Sequence, residues 1–506
     1  MEVGIIGSGI GGLTAALLLS QRGVDVTVYE KAERLGGRLA YQRDEDGHFQ
    51  IDQGPTIVLL PNMLLDILEE GGMDPAELPL MECDPLYAIH YADGTVFKKY
   101  RQLDLQLQEL DRVFPGEKNG FLRYMSDMEQ AFEQGVHSFL KQPFFRKGQF
   151  YTWSNMKLLM KMKAYKSVRR LAADYFRDER LQDAFSLQTL YIGGAPFSAP
   201  ALYTLIPYAE HAFGVWYLKG GYAGLVDRLQ FILESRGVRF VTGCKAEQLL
   251  IEGGSCTGFV SAEGAVYRHE SVVFNGDFPH LVNLLPAGQN SKSVTHSVEI
   301  SDKIRNKEYE PSSGCFLIYL GLNKRYEHAN IHQFFLPSSL NQGLKQLFTE
   351  QKVPDEPSFY TFYPTALDAS AAPKDQSVMY ILVPVPPAGE VNWNELKYKL
   401  ADKIMAEAEE RGFDGLRESV LWMDIRTPDD AVNDGLYRGG SFGIAPSLKQ
   451  SAVFRPQIVP FPELNGLYSV GASIHPGGGI PIVMQGAKLL ADHLTKERIE
   501  CMPQTV

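Results

Sequence analysis

Val3 to Ile6 is a short apolar run, followed by Gly7-Ser8-Gly9-Ile10-Gly11-Gly12 and then by Leu13 to Leu19, apolar at nearly every position. The pattern predicts a buried strand, a glycine loop and a buried helix. Gly23 suits the residue just past that helix, and Val24 to Tyr29 alternates apolar and polar as a second strand closed by Glu30. At the far end, Gly466 to Ser473 reads as a buried strand that breaks at Gly471, ahead of Ala472. The loop His475-Pro476-Gly477-Gly478-Gly479 comes next, and Ile480-Pro481 opens a helix whose apolar spacing runs from Ile482 to Leu494. Further strands are predicted at Phe49 to Asp52, Val238 to Gly243, Val272 to Phe274, Cys315 to Leu322, Ser358 to Tyr363 and Val378 to Val385. Strands interleaved with helices predict an α/β chain.

The first motif carries chemistry. Gly7 permits a tight turn, Gly9 lets backbone approach a diphosphate, and Gly12, beside Gly11, lets helix and strand pack closely. The helix start offers unpaired N–H groups and a positive dipole end. Glu30 suits ribose hydroxyls and disfavours a 2′-phosphate, so the motif reads as a dinucleotide site. A second glycine turn, Arg34-Leu35-Gly36-Gly37-Arg38, and a strand ending in Asp52-Gln53-Gly54-Pro55-Thr56 serve no simple nicotinamide dehydrogenase. They suit the longer FAD. Taken alone, Arg38 reads equally as a surface arginine and Asp52 as a turn-capping acid, but behind a dinucleotide fold both readings give way to a place at the cofactor. The C-terminal glycine loop and helix start would face the flavin pyrimidine edge and stabilise negative charge there.

The chain has 506 residues, a soft prior of roughly three domains, and its 44% hydrophobic composition excludes bulk disorder. A net charge of −12 argues against nucleic acid as the main partner. Five scattered cysteines suit neither a disulfide framework nor a zinc ribbon. No metal site is expected. The N-terminal stretch does not read as a signal peptide, and no run of eighteen apolar residues predicts a membrane span. The stretch 141–170 holds nine basic residues and no acid, interleaved with Phe144, Phe145, Phe150, Tyr151, Trp153, Leu158, Met160 and Met162. That mixture suits an anionic membrane surface, or else a solvated basic helix packed on the core or a contact for a regulatory protein.

These residues resemble the bacterial carotenoid desaturases of the phytoene desaturase family over nearly the whole chain. Leu187 to Gly193, Leu205-Ile206-Pro207, Phe213-Gly214-Val215, Lys219-Gly220-Gly221, Pro55 to Val58 and Arg455-Pro456-Gln457 are most similar to the dehydrosqualene (4,4′-diapophytoene) desaturase branch. The resemblance implies a discontinuous, Rossmann-like FAD-binding domain of the glutathione reductase and amine oxidase type. It would span 1–85, 205–288 and 425–506. A mixed-sheet substrate domain would take 86–125 and 289–424, and a helical membrane-associating insert 126–204. Implied cofactor contacts are Gly7, Gly9, Gly11, Gly12, Glu30, Lys31, Gly36, Gly37, Arg38, Gly54, Pro55, Thr56, Lys245, Ala246, Asn275, Gly471, Ala472, His475, Gly478, Gly479, Ile480 and Pro481. The implied activity is desaturation of a linear C30 precursor to diaponeurosporene or diapolycopene, in a cytoplasmic enzyme peripheral to the inner face of the cell membrane. Oligomeric state stays open. C30 oxygenases and C40 phytoene desaturases share the family, while flavin amine oxidases and lipid-escort proteins share the scaffold.

Hydride loss from an allylic carbon to flavin leaves a delocalised cation whose neighbouring proton is very acidic, so a strong base is not required. No catalytic triad or carboxylate pair is found, and no catalytic residue is assigned. His328 and His332 are expected at the surface. Phe334-Phe335 and Phe359 to Tyr363 are candidates to line an apolar tunnel, or else plain sheet core.

Overall fold

A computed structural model of the chain describes residues 1–286 and 307–501, with side chains to residue 496 in the last helix. Residues 289–306 of the expected substrate segment and 287–288 and 502–506 of the expected cofactor segment lie outside the described residues, as does the Cys501 side chain.

Five strands from three distant parts of the chain form one parallel sheet, in the order Leu467–Ser469, Ser271–Phe274, Glu2–Ile6, Asp25–Tyr29, Arg239–Val241. The apolar runs of the three inner strands follow from burial on both faces, while the edge strand Arg239–Val241 is partly exposed. One face is covered by helix Ile10–Gln21, which buries ten consecutive residues and packs on helices Gly221–Ser235 and Ile480–Cys501. The other face carries a three-stranded antiparallel sheet, Ala246–Glu252, Ser255–Ser261 and Val266–Arg268. Phe259 of that layer meets Tyr29 edge-on at 4.8 Å.

A seven-stranded mixed sheet forms the second body, in the order Val420–Arg426, Gly314–Leu322, Ser377–Val385, Phe359–Phe362, His332–Phe335, Tyr87–His90, Val96–Lys99. Alternation decides its two faces. Phe316, Ile318, Leu320 and Leu322 pack with Ile404 and Ala408 of helix Trp393–Glu410. Tyr319, Phe334, Tyr360 and Tyr380 face the opposite way, into a core shared with Tyr124, Phe185 and Tyr208 of the helical stretch between 103 and 213. The ring runs at 334–335 and 359–363 are therefore buried sheet core, divided between both faces.

His332 corrects the expectation of a surface residue. It opens a central strand, is fully buried, and lies with Nδ1 2.7 Å from the Tyr360 hydroxyl. Burial pushes its pKa down to about 3. The strand starts two residues before its aromatic run, at His332, which takes that histidine inside and leaves His328 exposed.

Candidate functional site: a glycine cradle between two helix starts

Five chain segments converge beyond the ends of the parallel strands. Gly7 has φ +99° and its N–H donates to the Tyr29 carbonyl at 2.7 Å. A Cβ on Gly12 would lie 2.2 Å from the Gly7 carbonyl oxygen, so only glycine lets the helix begin so close to the strand. Asn275, at the end of the neighbouring strand, donates through Nδ2 to the Gly7 and Gly9 carbonyls at 3.1 and 3.2 Å. A Cβ on Gly11 would lie 2.6 Å from Asn275 Oδ1, 3.1 Å from Val483 of the final helix and 3.4 Å from the Gly471 nitrogen. The second glycine turn joins through Ser8, whose carbonyl and hydroxyl oxygens both accept from Gly36 N–H at 3.1 and 3.2 Å. Gly37 faces the Gly9 Cα, 3.4 Å from where its Cβ would be.

Glu30 stands at the second strand's end and is 7% exposed. One carboxylate oxygen accepts from Ser8 N–H at 2.9 Å and from the Ser8 hydroxyl at 2.7 Å, and the other accepts from Ala32 N–H at 3.0 Å. Ser8 thereby ties acid and loop together, a role absent from the sequence reading because the middle positions of a glycine motif look free. Arg38 donates to the Ser441 carbonyl. Gly54 passes under Arg38, its absent Cβ 2.9 Å from the Arg38 carbonyl. Above Gly54-Pro55-Thr56 lie three tyrosines of the seven-stranded sheet. Tyr319 donates to the Gln53 carbonyl at 2.6 Å and Tyr380 to the Gly54 carbonyl at 3.0 Å, while the Tyr360 hydroxyl is 3.0 Å from Thr56 Oγ1.

The remaining expected residues have partners within the protein. The Lys31 ammonium reaches the Asn433 carbonyl at 3.3 Å. Lys245 is exposed and pairs with Glu247 at 3.6 Å, although the backbone beside Lys245-Ala246 reaches Glu30 through Cys244 N–H, 2.8 Å from the Glu30 carbonyl. His475 is 2% exposed, donates through Nε2 to the Gln142 carbonyl at 3.0 Å and meets the Phe144 ring at 5.0 Å. Burial lowers its pKa to about 4, so the ring is neutral and orients backbone. The Ala472 carbonyl is held by Arg455. Gly478 and Gly479 lead into Ile480-Pro481 at the start of the final helix, where the Gly479 carbonyl accepts from Val483 N–H at 2.8 Å.

Asp52 is the turn acid of the sequence reading, and it caps a helix across the molecule. Its oxygens accept from Tyr222 and Ala223 N–H, at 3.3 and 3.1 Å, at the start of Gly221–Ser235. Burial pushes its pKa up to about 7.

The arrangement fits a dinucleotide. Helix Ile10–Gln21 has no side-chain cap and no acid in its first turn, and the final helix likewise has no acid in its first turn. Their leading amides are left for an anion, with bare glycine backbone around them.

The comparisons with known proteins decide the class. Residues 10–495 match the model of the flavin containing amine oxidoreductases. The chain belongs to that family. Relatives include a 4,4′-diapolycopen-4-al dehydrogenase from Metabacillus indicus, 45% identical over 98% of this chain and 99% of the relative. A 4,4′-diapophytoene desaturase (4,4′-diaponeurosporene-forming) from Staphylococcus haemolyticus is 31% identical over 98% and 99%. A zeta-carotene-forming phytoene desaturase from Myxococcus xanthus is 32% identical over 97% and 93%. Solved structures share the fold. An oxidoreductase from Methanosarcina mazei has TM-score 0.62 at 17% identity, covering 97% of this chain and all of that one. A putrescine oxidase variant has TM-score 0.64 at 11% identity, covering 99% of each. Within its family this chain is one of the bacterial carotenoid desaturases, a flavin-dependent oxidoreductase of carotenoid biosynthesis whose cofactor is FAD.

The basic stretch departs partly from expectation. Phe144, Phe150, Leu158 and Met162, expected beside lipid, are buried in a small core of their own. Lys163 and Lys166 pair with Asp174, an acid just past the stretch, at 2.7 and 2.8 Å. Trp153 is 86% exposed, and Met160 and Tyr165 are also exposed. Among the described residues no helix is long and apolar enough to cross a membrane.

Proposed function

We propose that this enzyme desaturates a linear C30 carotenoid precursor, 4,4′-diapophytoene (dehydrosqualene), toward diaponeurosporene or diapolycopene. The observation that carries the reading is the tyrosine-anchored contact between the Gln53–Thr56 turn and the ring-lined face of the seven-stranded sheet. It sets an apolar body directly against the cofactor strap. Gly7 to Gly12 and Glu30 would hold the diphosphate and adenosine ribose, Gly36 to Arg38 and Gly54 to Thr56 the middle of FAD, and Asn275, Gly471, Ala472 and Gly478 to Pro481 its flavin end. FAD supplies the two-electron acceptor when bound. The protein orients the polyene, excludes water and keeps the neighbouring histidines neutral. The expected domain boundaries belong to this reading.

A second reading, oxidation at the end of a C30 chain, is favoured by the 45% identity to the relative named 4,4′-diapolycopen-4-al dehydrogenase. Incubating the FAD-loaded protein and liposomes with dehydrosqualene, phytoene or 4,4′-diapolycopen-4-al decides among the readings. New long-wavelength polyene bands from dehydrosqualene are expected. Turnover of the aldehyde alone would establish the second reading, and turnover of phytoene alone a C40 preference.

The substrate lives in lipid, and exposed Trp153, Met160 and Tyr165 beside the exposed Lys157 and Lys161 support peripheral docking to the inner face of the membrane.

A further inference from the structure

Arg455 is 4% exposed and forms no ion pair among the described residues. Its Nη1 donates to the Gln450 carbonyl at 3.1 Å and its Nη2 to the Ile444 and Ala472 carbonyls, while Nε has no hydrogen-bond partner. Asp277, an acid whose charge reaches Arg455 without a hydrogen bond, accepts from the Ser473 hydroxyl at 2.7 Å and from Tyr437 N–H at 2.9 Å. A guanidinium stays charged at any accessible pH, so a full positive charge sits inside the protein with carbonyl dipoles in contact with it and the Asp277 carboxylate acting only through space. Removing such a charge from water costs several kcal/mol unless an anion compensates it.

Its position suggests the anion. The unpartnered Nε lies 4.0 Å from where a Cβ on Gly477 would stand, at the back of the Gly477-Gly478-Gly479 loop. The same guanidinium holds Ala472 at the other end of that loop. His475 between them adds no charge, since it is neutral, and its Nδ1 is also unpartnered.

We infer that Arg455 is the fixed counter-charge for the negative charge that two-electron reduction places on the isoalloxazine, acting through the Ala472–Gly479 loop. The inference rests on the placement of the flavin end at that loop, and it assigns the electron affinity of the cofactor to a residue that does not touch it. Arg455 is thus a positioning residue. A carbonyl clamp alone would explain the three hydrogen bonds but gives no use for the charge or for the bare Nε.

The test is reductive titration of FAD-loaded wild type, Arg455→Lys and Arg455→Gln, with flavin absorbance as readout. Arg455→Gln should weaken reduction about tenfold, near 30 mV for a two-electron couple. Its affinity for sulfite, which adds to the oxidised flavin and leaves the same charge, should fall alongside. Arg455→Lys should stay near wild type. Equal potentials in Arg455→Gln and wild type, or an equal shift in Arg455→Lys and Arg455→Gln, would overturn the inference. If Arg455→Gln does not fold, proton uptake by the wild type is still able to overturn the inference. In weakly acidic solution its titration should take up one proton per electron pair, and uptake of two would overturn the counter-charge. Failure of polyene turnover with these potentials intact would instead refute the substrate reading.

Discussion

A Cβ on Gly221 would stand 2.1 Å from Oδ2 of Asp52, so the absent side chain of one residue makes room for the buried carboxylate of the other. Gly221 also has φ +69°, a conformation costly to other residues. Gly221→Ala should destabilise the protein by about 2 kcal/mol or more, through clash and strain together. Thermal unfolding of the FAD-loaded protein checks this.

Asp52 also makes stability depend on pH. Its pKa is raised by burial from 3.8 to about 7, so the folded state holds a proton that the unfolded chain releases. The contribution is fully present below pH 4 and is lost as pH rises toward 7, by about 4 kcal/mol for a shift of that size. Denaturant midpoints across that window should fall less steeply in Asp52→Asn than in the wild type.

Asn275 holds the glycine loop by two hydrogen bonds to backbone carbonyls. Asn275→Ala should cost about 1–3 kcal/mol, expressed as loss of bound FAD rather than of fold. The ratio of flavin to protein absorbance after purification should drop while circular dichroism stays unchanged.

Lys99 and Glu210 form a fully buried ion pair at 2.8 Å, with the Tyr87 hydroxyl donating to the same carboxylate oxygen at 2.6 Å. Glu210→Leu strands the lysine charge and should cost about 3–5 kcal/mol, whereas joint Lys99→Met and Glu210→Leu should cost much less. A double-mutant cycle by urea denaturation measures the difference.

Trp153, Met160, Lys157 and Lys161 lie on the open side of one short helix, Trp153–Lys161. Trp153→Asp with Met160→Asp, or Lys157→Glu with Lys161→Glu, should cut cosedimentation with anionic liposomes severalfold. Unchanged cosedimentation in both would remove the docking face. Lys163 and Lys166 are poor choices for this experiment because reversing them also breaks their pairs with Asp174.

Local chemistry made part of this molecule readable in advance. Gly7, Gly11 and Gly12 are glycine because atoms of Asn275 or Gly7 occupy the space of a side chain, and a spaced glycine motif records such crowding directly. The apolar runs at 315–322 and 378–385 became the paired strands Gly314–Leu322 and Ser377–Val385 for the same reason, since each buries both faces. Relationships across the chain left no such trace. Asp52 looked like a local turn acid because its partners, Tyr222 and Ala223, are 170 residues away. His332 looked exposed because nothing near it in sequence shows that Tyr360 would cover it. In the basic stretch, composition could not separate Trp153, which faces outward, from Phe150, which folds inward.

The parallel sheet takes its outermost strand from Leu467–Ser469 and seats it beside Ser271–Phe274, which in turn lies beside the first strand. During synthesis the opening glycine loop therefore waits, unfinished, until residue 469 has left the ribosome. A growing chain arrested before that point should be unable to retain FAD however long it is given, and would expose apolar strand edges that chaperones must shield in the meantime.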